Sequence, residues 1–176
     1  MLTNNFRKFI SGSIHNVLPF NYKNVLKDVA TGEAPAFGSL QFNNIFSYFN
    51  IYNTFINQPY TGMYDGACIY AGSRTTEPTA DDYNLESPHT DVKMVSLTGS
   101  SASIDVHTVP SYKSYTATLS NAAEENRTIS EVGLMISFPS SVSGSKAKLL
   151  MARELLDNPI TLEPGDTVTF TFRIDF

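Results

Sequence analysis

The hydrophobic positions of the chain change period partway along it. From the start, Leu2, Phe6, Phe9, Ile10, Ile14 and Val17 recur at steps of three and four. That spacing lays them on one face of a short amphipathic helix ending before Pro19. A second helical piece is predicted over residues 22–29, stopped by Thr31-Gly32 with Pro35 beyond. Residues 41–60 then set Phe42, Phe46, Tyr48, Phe49, Tyr52, Phe55 and Tyr60 among asparagines at 43, 44, 50, 53 and 57. Neither period prevails there, so an irregular aromatic arm or short strands are expected, followed by turns over Thr61-Gly62-Met63-Tyr64-Asp65-Gly66.

Beyond Gly66 the pattern becomes a series of strand-sized runs. Ala67 to Ala71 is short and apolar, and a long polar loop follows to about Pro88. Strands are predicted over 91–97, 103–109, 112–119 and 128–138. In the last of these Val132, Leu134, Ile136 and Phe138 alternate with Glu131, Gly133, Met135 and Ser137, as in a half-buried antiparallel strand. The clearest signal closes the chain. Glu163-Pro164-Gly165-Asp166 puts Pro and Gly at the central positions of a type II turn, and then Val168, Phe170, Phe172, Ile174 and Phe176 alternate with Thr167, Thr169, Thr171, Arg173 and Asp175. The expected fold is mainly β: an antiparallel β-sandwich or jelly-roll-like domain over 66–176, preceded by a helical and aromatic, Asn-rich attachment arm over 1–65.

Composition sharpens this picture. Of 176 residues, 16% are charged, against 36 Ser plus Thr and 14 Asn, so the chain meets water with hydroxyls and amides rather than ions. The net charge of -5 argues against nucleic acid, which calls for a basic stripe, and against an anionic membrane surface. No apolar run reaches the ~18 residues of a membrane span, and Ser11, Gly12, Ser13, His15 and Asn16 interrupt any signal-peptide core. A soluble protein made in the cytoplasm is expected.

Candidate chemistry is sparse. The bases for nucleophilic catalysis are His15, His89 and His107, and the lone Cys68 sits in an apolar run where a thiol behaves as a small hydrophobe. The loop from Glu77 to Asp91 gathers oxygen donors that suit Ca²⁺, yet it lacks the ligand order and turn glycine of an EF-hand. A surface loop whose Asp and Pro residues set turns is the favoured reading. Paired carboxylates among Glu77, Asp81 and Asp82 have no separation fixed by the sequence. Phosphate-loop, dinucleotide and Cys/His metal patterns are missing. No catalytic, cofactor or metal residue is therefore assigned, and a non-enzymatic protein is expected.

Two stretches carry a resemblance. Gly72-Ser73-Arg74-Thr75-Thr76-Glu77-Pro78-Thr79-Ala80-Asp81-Asp82-Tyr83-Asn84-Leu85-Glu86-Ser87-Pro88 resembles a segment of a group of tailed-bacteriophage virion proteins. Ile129-Ser130-Glu131-Val132-Gly133-Leu134-Met135, then Leu150-Met151-Ala152-Arg153, then Leu156 to Asp166 is similar to the ending of that group. The resemblance spans about residues 66–176 and implies a non-enzymatic structural component of a phage particle at the capsid surface, neck or tail, assembled in the host bacterial cytoplasm. It transfers no catalytic residue. Such a protein binds other virion subunits and forms homo-oligomers by default. The expected interface is the hydrophobic stripe and aromatic arm: Leu2, Phe6, Phe9, Ile10, Phe46, Phe49, Tyr52 and Phe55. The alternative is a carbohydrate-binding module that reads a host surface glycan, with Tyr48, Tyr52, Tyr60 or Tyr64 as stacking platforms; the lack of Trp counts against it.

Overall fold

A computed structural model describes residues 1–4, 27–29, 31–33, 66–101, 112–139 and 146–175. Six strands run through them: β1 (Gly66–Gly72), β2 (Val92–Ser101), β3 (Tyr112–Asn121), β4 (Arg127–Pro139), β5 (Lys146–Leu162) and β6 (Thr167–Asp175). They form two three-stranded antiparallel sheets, ordered β1-β4-β5 and β2-β3-β6. One buried apolar cluster draws on both, with Ile69, Leu134 and Leu149 from the first sheet and Met94, Tyr115 and Leu119 from the second. The strand expected over 103–109 lies outside the described residues, as do Phe6, Phe9, Ile10, Phe46, Phe49, Tyr52 and Phe55 and the tyrosines at 48, 60 and 64.

The sheet β2-β3-β6 has the predicted wet face. Tyr115, Ala117, Leu119, Phe172 and Ile174 are buried, while Thr167, Thr169, Thr171 and Arg173 are exposed. The register sets Thr116 beside Thr171 and Thr118 beside Thr169, and their hydroxyls pair across the strands at 2.8 and 3.0 Å. Such pairs saturate hydroxyls that would otherwise need water. At the entry to β6, Gly165 has φ 86°, and Asp166 N–H donates to Glu163 O at 3.0 Å, as a type II turn requires.

The sheet β1-β4-β5 departs from expectation. The half-buried strand predicted at 128–138 is closed on both faces: Glu131, Met135 and Ser137 are as buried as Val132, Leu134 and Ile136. The cause is the 73–91 loop, which folds over the second face. Leu85, 2% exposed, sits where a Cβ on Gly133 would fall only 2.8 Å from it. Only glycine leaves that seat open. β5, the longest strand at 17 residues, has a Lys/Ala/Leu/Met/Glu-rich stretch of high helix propensity and no strand alternation. Pairing with β4 overrides that preference. The register slips twice, so that Met151 is extra and Leu156, Asp157, Asn158 and Pro159 stand opposite Ser130 alone.

Two short segments cover the outer edge of β5. Leu2 bridges Ala152, Thr3 N–H donates to Met151 O, Arg153 N–H donates to Met1 O, and the buried Thr3 hydroxyl donates to Leu150 O at 2.6 Å. Leu2, predicted on the helical stripe, is half-buried and packs against this molecule's own core. Farther along, Val29 N–H donates to Lys148 O, and Lys148 N–H donates to the buried Asp28 carboxylate at 2.8 Å. The helix predicted over 22–29 therefore does not include Lys27, Asp28 and Val29, which lead into a turn closed by Gly32 at φ 68°. Covering an edge in this way removes the open backbone groups on which another chain could pair.

Candidate functional site

The polar centre of the described structure lies between the 73–91 loop and the sheet β1-β4-β5. Arg153 ends an apolar run on β5, and pairing sets it opposite Gly133, two residues along β4 from Glu131. Its side chain is 1% exposed and Glu131 is fully buried. Arg153 Nε donates to Glu131 Oε2 at 2.7 Å, Nη1 to Asp82 Oδ2 at 2.8 Å, and Nη2 to the Thr76 carbonyl at 3.0 Å. Glu86 approaches Nη2 at 3.8 Å. The second oxygen of Glu131 accepts the Ser87 N–H at 3.0 Å. One guanidinium and one carboxylate thus hold three points of a loop against two strands.

The loop is prepared locally for this contact. The carboxylate of Asp82 accepts both the Thr79 N–H, at 3.0 Å, and the Thr79 hydroxyl, at 2.7 Å, which closes a turn before Arg153 binds it. Burial alone would push the Asp82 carboxyl up, but the hydrogen bonds from Thr79 and Arg153 outweigh it and hold the group below the usual carboxylate range. For Arg153 burial likewise opposes the charge, and the bonds to Asp82 and Glu131 more than restore it. Gly72 completes the fit. A Cβ there would lie 2.6 Å from the Ser87 carbonyl and also collide with the Glu131 carboxylate. Removing two charges from water costs several kcal/mol each, so an ion pair this deep serves to specify one placement of the loop more than to add stability.

A second polar group joins the sheets at the other side of this loop. Arg127 Nε and Nη2 both bind Asp91 Oδ2, at 2.9 and 2.6 Å, and Nη1 binds Glu125 at 2.7 Å. The Arg127 guanidinium holds the Asp91 carboxyl below its ordinary range. Asn121, 1% exposed at the end of β3, donates to Leu162 O of β5 at 3.0 Å and to Glu125 O at 2.9 Å.

The candidates for chemistry fall into these architectural roles. Asp82 turns toward Arg153, Asp81 binds Asn4 at 2.9 Å, and Glu77 is exposed, so the three carboxylates do not converge on one point. His89 Nε2 contacts the Thr128 carbonyl at 2.8 Å, and the His89 backbone N–H donates to Ala71 O. The Cys68 thiol is pushed up to about 12 by burial and stays protonated. Among the described residues no group of three His, Cys, Asp or Glu side chains is placed to hold a metal ion.

The residues that carry the resemblance meet here: Gly72, Asp82, Leu85 and Glu86 from the first stretch, and Glu131, Gly133 and Arg153 from the second. Sequence reading weighed Asp82 as a cation ligand and missed its partner. The available signal was Arg153 itself, a charge placed directly after Leu149-Leu150-Met151-Ala152. No family model, curated protein or solved structure matches the chain in comparisons with known proteins.

Proposed function

We propose that the protein is a non-enzymatic structural component of a tailed-phage virion, a capsid-surface, neck or tail accessory subunit that acts by protein–protein assembly. The observation that carries this reading is the convergence of the two virion-like stretches on a single buried node whose every polar group is engaged in holding a loop to a sheet. A motif that encodes a substrate site leaves acids, bases or donors turned toward a cavity; this one turns them inward. On this reading the two sheets pack face to face as a β-sandwich around their common core, with the hydroxyl-rich face of β3 and β6 outward. Attachment falls to the aromatic residues of the 34–65 segment and to Phe6, Phe9 and Ile10.

The test is a binding assay with particles assembled without this protein. Purified full-length chain is expected to bind them saturably, and F46S/F49S/Y52S/F55S is expected to lose binding while its circular dichroism stays that of the parent. Failure of the parent chain to bind capsid, neck or tail components overturns the proposal. Specific hits on a glycan array without particle binding would favour the carbohydrate-reading alternative instead.

A further inference from the structure

The four sheet edges are treated unequally. The outer edge of β1 is bridged by the 73–91 loop, with Gly72 paired to Pro88 and the His89 N–H donating to Ala71 O. The outer edge of β5 is covered by residues 1–4 and 27–29 and is further broken by its two register slips and Pro159. β2 is bulged at Val95, between Met94 and Ser96, and carries Lys93. All three are standard protections against edge pairing. Among the described residues β6 has no bulge, no bridging segment and no lysine, and its charges are confined to Arg173 and Asp175 at its end. It pairs with β3 in unbroken register from Thr167 to Asp175, contains no proline, and over Thr167 to Phe172 no described residue bonds to the backbone of its outer side.

We infer that the outer edge of β6 is a homodimer interface, at which a second copy of this chain adds its own β6 antiparallel across a twofold axis. The inference does not depend on the virion reading. Self-complementarity selects the second copy as the occupant. In an antiparallel pair of identical strands, a twofold axis through Phe170 keeps like faces together, because side chains alternate with a period of two. Phe170 then faces its own copy, and Val168 faces Phe172. These are aromatic and β-branched pairs that favour cross-strand contact, and Val168 and Phe170 are only half-buried within one chain. On the other face Thr169 meets Thr171, extending the hydroxyl pairing already made with Thr118 and Thr116. Arg173, stacked on Tyr112 at 4.2 Å, faces Thr167 of the other copy, next to that copy's Glu163-to-Asp166 turn. The charges across the axis are therefore opposite in sign where they approach.

Sedimentation equilibrium of the full-length chain tests this directly, with two variants on the exposed face. The parent is expected to dimerise reversibly. T169K/T171K sets lysine against lysine twice across the axis and is expected to weaken the dimer by about tenfold or more. T169K/T171E sets each lysine against a glutamate of the other copy and is expected to restore it. Circular dichroism and thermal melting check that all three chains fold. A parent that stays monomeric at its highest soluble concentration, as it would if another part of the same chain occupied this edge, overturns the inference. So does a dimer that T169K/T171K leaves intact.

Discussion

Arg153 shows how much one side chain can fix. It touches Glu131, Asp82 and Thr76 while almost entirely out of water, so truncating it leaves the buried Glu131 side chain without its partner. We expect R153A to destabilise the fold by about 3–5 kcal/mol in urea unfolding, and R153K to recover only part of that loss, because an ammonium cannot reproduce the planar fork. Acid acts on the same contacts. The ordinary Asp carboxyl titrates at ~3.9, and the folded pKa values of Asp82 and Asp91 are both held below that. Their contribution is complete above the unfolded value and is lost as pH falls through the lower folded values. The urea midpoint should fall below about pH 4, and D82N should flatten that decline; an unchanged acid slope in D82N would contradict the role given to the Asp82 pair. Little of this node was legible in the sequence. Asp82 and Arg153 are 71 positions apart, and nothing in either neighbourhood names the other.

At the scale of elements, legibility follows how much of the pattern is local. β6 and its turn were readable because Pro164, Gly165 and five alternating pairs carry the information within fourteen residues of chain. Gly165 makes the point testable. Its φ is 86° and a Cβ there would meet nothing within 4 Å, so G165A should cost about 1 kcal/mol through backbone strain alone, read as a lower thermal midpoint without change in spectrum. β5 was not readable because its composition favours a helix and its pairing depends on β4. The double-sided burial of β4 was hidden for a related reason: its second cover, Leu85, comes from a loop whose polar composition predicts a surface position.

At the scale of the whole molecule, the sheets are held together by their common core and, at one end, by Asn121. That side chain bonds to two carbonyls, one of them on the other sheet, and accepts the Ala123 N–H at 3.0 Å. Its loss strands buried backbone groups, each costing ~1–3 kcal/mol. N121A should therefore lower the urea midpoint while leaving a single transition; two separate transitions would show that the sheets do not fold as one unit. Gly66 pairs with Ser137, Ser137 with Lys148, and Lys148 with Asp28 and Val29, so Gly66, Asp28 and Val29 share one row of the same sheet. The proposed role of this chain is that of an architectural part of a phage particle. Locating it in intact virions by electron cryomicroscopy tests that claim most directly. Density for the β fold is expected at a fixed, symmetry-repeated position beside a neighbouring subunit. Purified particles that contain no copy of the chain would contradict it.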